Sequence, residues 1–130
     1  MKDPISAGST ISLAPCPTTP NCVSSDATDE RHRVAPFRLK MSPEDAWQEV
    51  CNAVGEMKGA DLVEATDSYL RAEFKSRVFG FVDDVELQLR AAEEAIAVRS
   101  ASRVGYSDLG VNRRRVESLR KILRTRGAVL

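Results

Sequence analysis

Residues 98–117 carry the densest run of polar and charged side chains in this sequence. Arginine binds carboxylates and phosphates through paired hydrogen bonds, and serine, tyrosine and asparagine add further donors and acceptors. The run therefore predicts a site for a small anionic ligand or for a protein partner. The residues that would form this site are Arg99, Ser100, Ser102, Arg103, Tyr106, Asn112, Arg113 and Arg115.

The same side chains also have a structural interpretation. Three carboxylates, Asp83, Asp84 and Asp108, can accept hydrogen bonds from these arginines, because buried polar groups in folded proteins almost always have partners. Helical periodicity places Arg115 on an apolar face, where an unpaired guanidinium would be strongly destabilising. We therefore expect Arg115 to pair with one of the three acids.

An enzyme of unknown reaction is the alternative function. Its site would lie between an arm containing Cys16, Cys22 and His32 and a region formed by Asp83, Asp84, Tyr106 and Asp108. The sequence contains no spacing typical of a nucleophilic triad and no glycine-rich phosphate loop. We therefore favour a non-catalytic binding or assembly module over an enzyme.

The sequence also argues against a metal site and against a cofactor. Asp83 and Asp84 are adjacent on a predicted strand, so they point to opposite faces and cannot share one ion without a bulge. His32 is the only histidine, and no second Cys/His pair stands at zinc-like spacing. We expect no metal and no cofactor.

Three cysteines leave two redox interpretations open. Cys16 and Cys22 flank two prolines and can close a small disulfide loop in an oxidising compartment, whereas in the cytosol they would remain reduced. Cys51 lies away from the centre of its helix's apolar stripe, which indicates a half-exposed structural thiol.

Composition indicates one soluble globular domain of 130 residues, with 19 basic and 19 acidic side chains. No apolar run approaches the roughly 18 residues of a membrane span, and the first residues lack a signal-peptide core. A cytosolic location and the loss of a targeting segment both agree with these features.

Residues 103–126 hold eight bases and two acids. The zero net charge and the absence of paired aromatic residues nevertheless argue against nucleic-acid binding.

The chain divides into a lead-in, an arm and a core. Residues 1–14 have no periodicity and predict a disordered lead-in. Residues 15–41 form an extended arm whose prolines exclude a helix or a central strand. Residues 42–130 carry the pattern of an α+β core, so that residues 15–130 make a single domain.

The core pattern predicts two helices around four strands. The first helix begins at Ser42-Pro43 and ends near Gly59, and the last runs from about residue 111 to 126. Strands are predicted over 61–66, 69–76, 83–90 and 95–102, with a link over 77–82 that forms a bulge or a loop. Short connections favour antiparallel neighbours, and the result is a two-layer sandwich of a four-stranded, mainly antiparallel sheet and two helices. The arm would follow an edge or the open face of the sheet.

In the last helix the periodicity separates an inner face from an outer one. The inner face contains Val116, Leu119, Ile122 and Leu123. The outer face contains Arg113, Glu117, Arg120, Lys121 and Arg124. Glu117 is spaced to pair with Arg113 and Lys121.

The sequence contains four distinctive motifs, which are Cys-Pro-x-x-Pro-Asn-Cys-Val-Ser-Ser at 16–25, Tyr-Leu-Arg-Ala-Glu at 69–73, Phe-Val-Asp-Asp-Val-Glu at 81–86, and the segment 99–113. Together, and in this order, they resemble the family catalogued as domain of unknown function 1499. The resemblance spans nearly all of the chain after Leu13. It implies relatives in bacteria and plants, some of them directed to plastids, and an envelope location for members with a leading targeting segment. It implies no established activity.

Overall fold

The computed structural model describes residues 13–75 and 80–130 and shows an α+β fold with two helices and an open antiparallel sheet of six strands. The predicted class is confirmed, but the predicted number of four strands is wrong. The helices are α1 (Pro43–Glu56) and α2 (Val111–Thr125). The strands are β1 (Cys22–Ser24), β2 (Phe37–Arg38), β3 (Ala60–Ala65), β4 (Tyr69–Lys75), β5 (Val82–Arg90) and β6 (Ala95–Ser102).

The two additional strands come from the arm. Both β1 and β2 pair antiparallel with β6, on the side opposite β5, so the arm forms one edge of the sheet. The arm's prolines and short polar runs conceal these strands in the sequence, because an edge strand needs only one row of ladder hydrogen bonds and tolerates flanking prolines. Val23 and Phe37 are buried in the core beneath this edge.

Alternation along the middle strands separates the two faces of the sheet. Leu70, Ala72 and Phe74 of β4 point inward, and Phe74 lies opposite Asp83 of β5 in the antiparallel register. The helices cover this inner face with buried side chains, including Val50 of α1 and Leu119 of α2. The alternate residues form an outer face of mostly charged side chains.

Helix α1 begins as its sequence predicts. The Ser42 side chain accepts a hydrogen bond from the backbone N–H of Asp45 (3.2 Å), and Pro43 occupies the first helical position. Trp47 is buried and its indole N–H donates to the carbonyl oxygen of Thr66 (2.8 Å), which joins the helix to the end of β3.

In helix α2, Arg120 does not lie on the face that helical periodicity predicts for it. This residue was expected on the outer face, yet it is buried, with its guanidinium 4.7 Å from the centre of the Phe37 ring. It donates to the carbonyl oxygens of Ala35 (2.7 Å) and Pro36 (3.1 Å). The arm covers this side of the helix, so the buried face is wider than periodicity alone predicts. Glu117 pairs with Arg120 at 2.8 Å, and the predicted pairs with Arg113 and Lys121 do not form.

Some predictions lie outside the described residues. These are the lead-in up to residue 12, the final residue of the predicted 69–76 strand, and residues 77–79 of the predicted link. Within the lead-in, Leu13 is buried and its backbone N–H donates to Asp26 (2.9 Å). Neither described helix has the length and apolar character needed to cross a membrane.

Candidate functional site

A buried polar network lies on the inner face where β6 leads into α2. Asn112, in the first turn of α2, is fully buried. Its side-chain amide donates to Ser102 (2.9 Å) and to Asp108 (2.8 Å), and its carbonyl oxygen accepts from the Ser100 hydroxyl (2.6 Å). Asn112 therefore ties the last strand, the following loop and the helix together. We call Asp83, Ser100, Ser102, Asp108, Asn112 and Arg115 the inner network.

Arg115 supplies the positive charge of this network. Its Nη2 lies 2.8 Å from Oδ2 of Asp83, and the exposed fractions of the two side chains are 16% and 12%. Its Nη1 donates to Asn112 (2.8 Å) and Ser100 (3.2 Å), and the guanidinium stacks 4.7 Å from the Phe74 ring centre. Arg115 of α2 therefore forms an ion pair with one of the three candidate acids, Asp83 of β5.

Asp108 plays a different part from the one expected. Instead of accepting from an arginine, it accepts from the backbone N–H groups of Gly110 (2.8 Å) and Asn112 (3.1 Å). Burial raises the pKa of this carboxyl, but the hydrogen bonds from Asn112 and the backbone outweigh burial and hold the pKa below its ordinary value. Asp108 therefore caps the beginning of α2.

Arg103 and Asp84 lie in a charged cluster on the outer face. Arg103 donates to both carboxylate oxygens of Asp84 (2.8 and 2.9 Å) and to Glu73 (2.7 Å). Arg71 lies 3.4 Å from Asp84 and 3.7 Å from Glu73. The hydrogen bond from Arg103 holds the pKa of Asp84 below its ordinary value. We call Arg71, Glu73, Asp84 and Arg103 the outer cluster.

The two remaining arginines of the predicted site contact the arm. Arg99 donates to the carbonyl oxygen of Pro15 (3.2 Å) and lies 3.7 Å from Glu86, while its buried Nε has no partner among the described residues. Arg113 donates to the carbonyl oxygens of Arg31 and Arg33, both at 2.9 Å. Each of the four predicted arginines therefore has a partner within the chain, and the structure divides them between the two faces of the sheet and the arm.

Several residues that the enzyme alternative requires have other partners in the structure. Cys16 and Cys22 form a disulfide, and Cys51 is a free, half-exposed thiol. His32 lies 2.6 Å from Asp29 and 2.9 Å from the carbonyl oxygen of Thr19, so both ring nitrogens contact residues of the arm. Asp83 is paired with Arg115 instead. In the described part of the chain, no three His, Cys, Asp or Glu side chains cluster as metal ligands.

The loop between β6 and α2 exposes an apolar surface that the sequence analysis did not predict, although it named Tyr106 as a hydrogen-bonding residue of the site. Val104, Tyr106 and Leu109 are 58%, 67% and 83% exposed, and we call these three residues the apolar tip. Phe81 and Val111 are also exposed. The backbone N–H of Arg103 donates to the carbonyl oxygen of Val82 (3.2 Å), which places Phe81 at the same end of the sheet as Val104. The sequence could have indicated this tip, because it places three apolar residues within an otherwise polar, glycine-containing loop.

The tip is held in place by the groups around it. Asn21 donates to the carbonyl oxygens of Gly105 (2.7 Å) and Val104 (3.4 Å), and Arg114 donates to that of Leu109 (3.0 Å). Leu109 has a φ of 55°, in the left-handed region that residues with side chains seldom adopt. The loop is therefore anchored at several points while its apolar side chains face solvent.

A comparison with curated proteins finds no match. The family model described as protein of unknown function DUF1499 matches residues 12–123, which includes β1, the whole sheet, the apolar tip and most of α2. The sequence motifs, the single α+β fold and this match agree. The chain therefore belongs to the DUF1499 family of proteins of unknown function.

Proposed function

We propose that this protein is a non-catalytic binding module that docks a partner protein through the apolar tip. The observation that carries the proposal is the exposure of Val104, Tyr106 and Leu109 on an anchored loop. Apolar side chains gathered on an exposed surface are typical of interaction sites. Tyrosine in particular provides a large contact area with few rotatable bonds, which is why it is common among binding hot spots.

The backbone of Leu109 supports this assignment. A non-glycine residue in the left-handed region is destabilised by roughly 1–2 kcal/mol relative to its ordinary conformations. Leu109 gains little in return from the folded chain, because its side chain is 83% exposed. Backbone strain of this kind concentrates at functional sites. A partner that buries Leu109 would supply the missing stabilisation.

The charges around the tip indicate the chemistry of the partner. Arg113 and Arg114, in the first turn of α2, donate only to backbone carbonyl oxygens and form no ion pair among the described residues. The positive charge beside the tip is therefore not neutralised by a carboxylate. We expect the partner to present an apolar or aromatic patch flanked by acidic side chains.

The contacts of the other arginines argue against an anionic ligand as the main partner of residues 99–115. Arg103 is bound by two carboxylates, Arg115 by Asp83, and Arg99 by Pro15 and Glu86. An incoming anion at the nitrogens that make these contacts would have to displace an existing partner. The span of residues 99–115 consequently acts in this proposal as the support of the tip, and the tip makes the contact.

Site-specific photo-crosslinking in cells of the native source tests the proposal. A benzophenone amino acid replaces Tyr106 in one version and Gln48, an exposed residue of α1, in the matched control. We expect a discrete crosslinked protein from position 106 only. The adduct should be lost with Leu109→Ser and reduced with Arg114→Gln, while Lys121→Gln, farther along α2, leaves it unchanged.

Two outcomes would contradict the proposal. One is the absence of any adduct at position 106, and the other is the same set of adducts from positions 106 and 48. An adduct whose mass is that of a second copy of this chain would also contradict a heterologous partner, and it would identify the tip as a self-association surface.

A further inference from the structure

A cleft of about 400 Å³ opens between the end of α1, the ends of β4 and β5, and the first turns of α2. Its volume is within the range of small-ligand sites. Met57, Phe74 and Val111 provide its apolar walls, and the Phe74 ring is itself stacked against Arg115. The cleft therefore has an apolar interior with a fixed cation beside it.

Local backbone geometry brings two lysines to the rim of this cleft. Gly59 follows α1 with a φ of 82°, and a Cβ at this position would lie 3.0 Å from the carbonyl oxygen of Lys75. The Lys75 N–H also donates to the Gly59 carbonyl (3.1 Å). This close approach places Lys58 and Lys75 next to each other, and both line the cleft.

The polar groups of the lining are mostly donors. Lys58 and Lys75 form no ion pair with any described residue, and the Ser118 hydroxyl and the Arg115 Nε make no hydrogen bond there. Among the described residues of the lining, the only acid is Asp83, which is already paired with Arg115 at 2.8 Å. Three cations thus face one neutralised carboxylate in this described part of the cleft.

Arg115 is held in a fixed position before any ligand arrives. Asp83, Asn112 and Ser100 bind its two terminal nitrogens, and Phe74 fixes the plane of the guanidinium. Such preorganisation reduces the conformational entropy that binding would otherwise remove. A ligand needs to bind only the remaining donor and the two lysines.

We infer that this cleft binds a carboxylate carried on a small apolar body. The carboxylate would accept from Lys58, Lys75 and the Nε of Arg115, and the apolar body would pack against Met57 and Phe74. The carboxylate can belong to a free organic acid or to an acidic side chain of a protein. The inference does not depend on docking at the apolar tip, because none of the three tip residues lines the cleft.

Nuclear magnetic resonance titration of the full chain, labelled with ¹⁵N, tests this inference with three probes. Benzoate has the proposed chemistry, benzamide has the same shape without the charge, and inorganic phosphate has the charge without the apolar body. We expect saturable shifts of the Lys58, Lys75 and Val111 amides with benzoate, and binding weaker by about tenfold for benzamide and for phosphate, which is the scale of one charge-assisted hydrogen bond.

A pair of lysine variants provides the matched comparison. Lys58→Gln with Lys75→Gln should weaken benzoate binding by about tenfold, and Lys121→Gln, on an exposed part of α2, should not change it. All three lysines are exposed, so the variants are expected to fold. Benzamide binding as tightly as benzoate, phosphate binding as tightly as benzoate, or a double variant with unchanged affinity would each overturn the inference.

A further pair of probes distinguishes the two sources of the carboxylate. The blocked peptide acetyl-Phe-Glu-amide presents an acidic side chain, and 3-phenylpropionate is a free acid. Saturation of the same amides by both supports a protein side chain, whereas saturation by 3-phenylpropionate alone supports a free organic acid. Saturation by neither overturns the site. Because no partner protein is present, failure here leaves the proposed docking at the tip intact.

Discussion

Asp83 and Asp84 are neighbours in the sequence, yet they belong to two polar clusters of opposite character. Asp83 faces inward, is nearly buried and pairs with Arg115 inside the inner network. Asp84 faces outward and shares Arg103 and Arg71 with Glu73 in the outer cluster. Aspartate and arginine side chains therefore form a largely buried ion pair beside a cleft in one case and an open cluster in the other.

The two clusters differ in how many alternative partners each charged group has and in how much water reaches it. In the inner network most polar atoms are buried, and a buried polar atom that loses its partner is costly because little water reaches it. In the outer cluster two arginines serve two acids, and water solvates whichever group loses a partner. We therefore expect substitutions in the inner network to destabilise the fold strongly and substitutions in the outer cluster to do so weakly.

Arg115→Met should have the largest effect. It leaves the Asp83 carboxylate buried without a charge partner, and breaking a buried pair in this way is destabilising by about 3 kcal/mol or more. Urea denaturation at pH 7 measures the loss. The double variant Asp83→Leu with Arg115→Met should regain part of the stability, because no uncompensated charge remains. Equal losses in Arg115→Met and in an outer-cluster variant would break the comparison.

Asn112→Ala should have the next largest effect, about 2 kcal/mol, because buried polar groups then lack partners. The side chain contacts Ser100, Ser102 and Asp108, and these groups cannot all be re-solvated in the core. The free energy of unfolding measures the loss, and hydrogen exchange at the first turn of α2 locates it. A loss no larger than that of an exposed alanine substitution on α2 would show that the network is dispensable.

Arg120→Met tests the role of the buried acid partner, because Arg120 is buried but has no buried carboxylate beside it. Its partners are two backbone carbonyls and the partly exposed Glu117. Methionine preserves the packing on Phe37 and leaves no charge unpaired in the core, so we expect a loss of about 1 kcal/mol. A loss as large as that of Arg115→Met would mean that burial of the guanidinium, rather than its buried acid partner, sets the effect. Thermal denaturation of both variants side by side distinguishes these outcomes.

Asp84→Asn should have the smallest effect, and that effect should depend on pH. The hydrogen bond from Arg103 lowers the pKa of Asp84 in the folded state, so the stabilisation is fully present above the ordinary carboxyl pKa of about 3.9 and is lost as the pH falls through the lower folded-state value. Urea titrations of the native protein and of Asp84→Asn should differ slightly at pH 7 and converge in acid. A gap that stays constant down to low pH would exclude this ion pair as its cause.

The sequence by itself determined the two helices, the four longer strands and the family. Ser42 and Pro43 mark the beginning of α1, and alternation in β4 and β5 identifies their inward and outward faces. Because periodicity is a property of consecutive residues, it also places Asp83 and Asp84 on opposite faces without any knowledge of the fold.

Only the tertiary structure decided which distant residues meet. It selected Asp83 among three candidate acids for Arg115, turned the arm into two edge strands, and buried Arg120 beneath that arm. It also showed that the loop which was notable for its polar residues exposes Leu109 to solvent. The physical reason is that pairing and burial depend on distances between segments far apart in the chain, and local patterns carry no information about those distances.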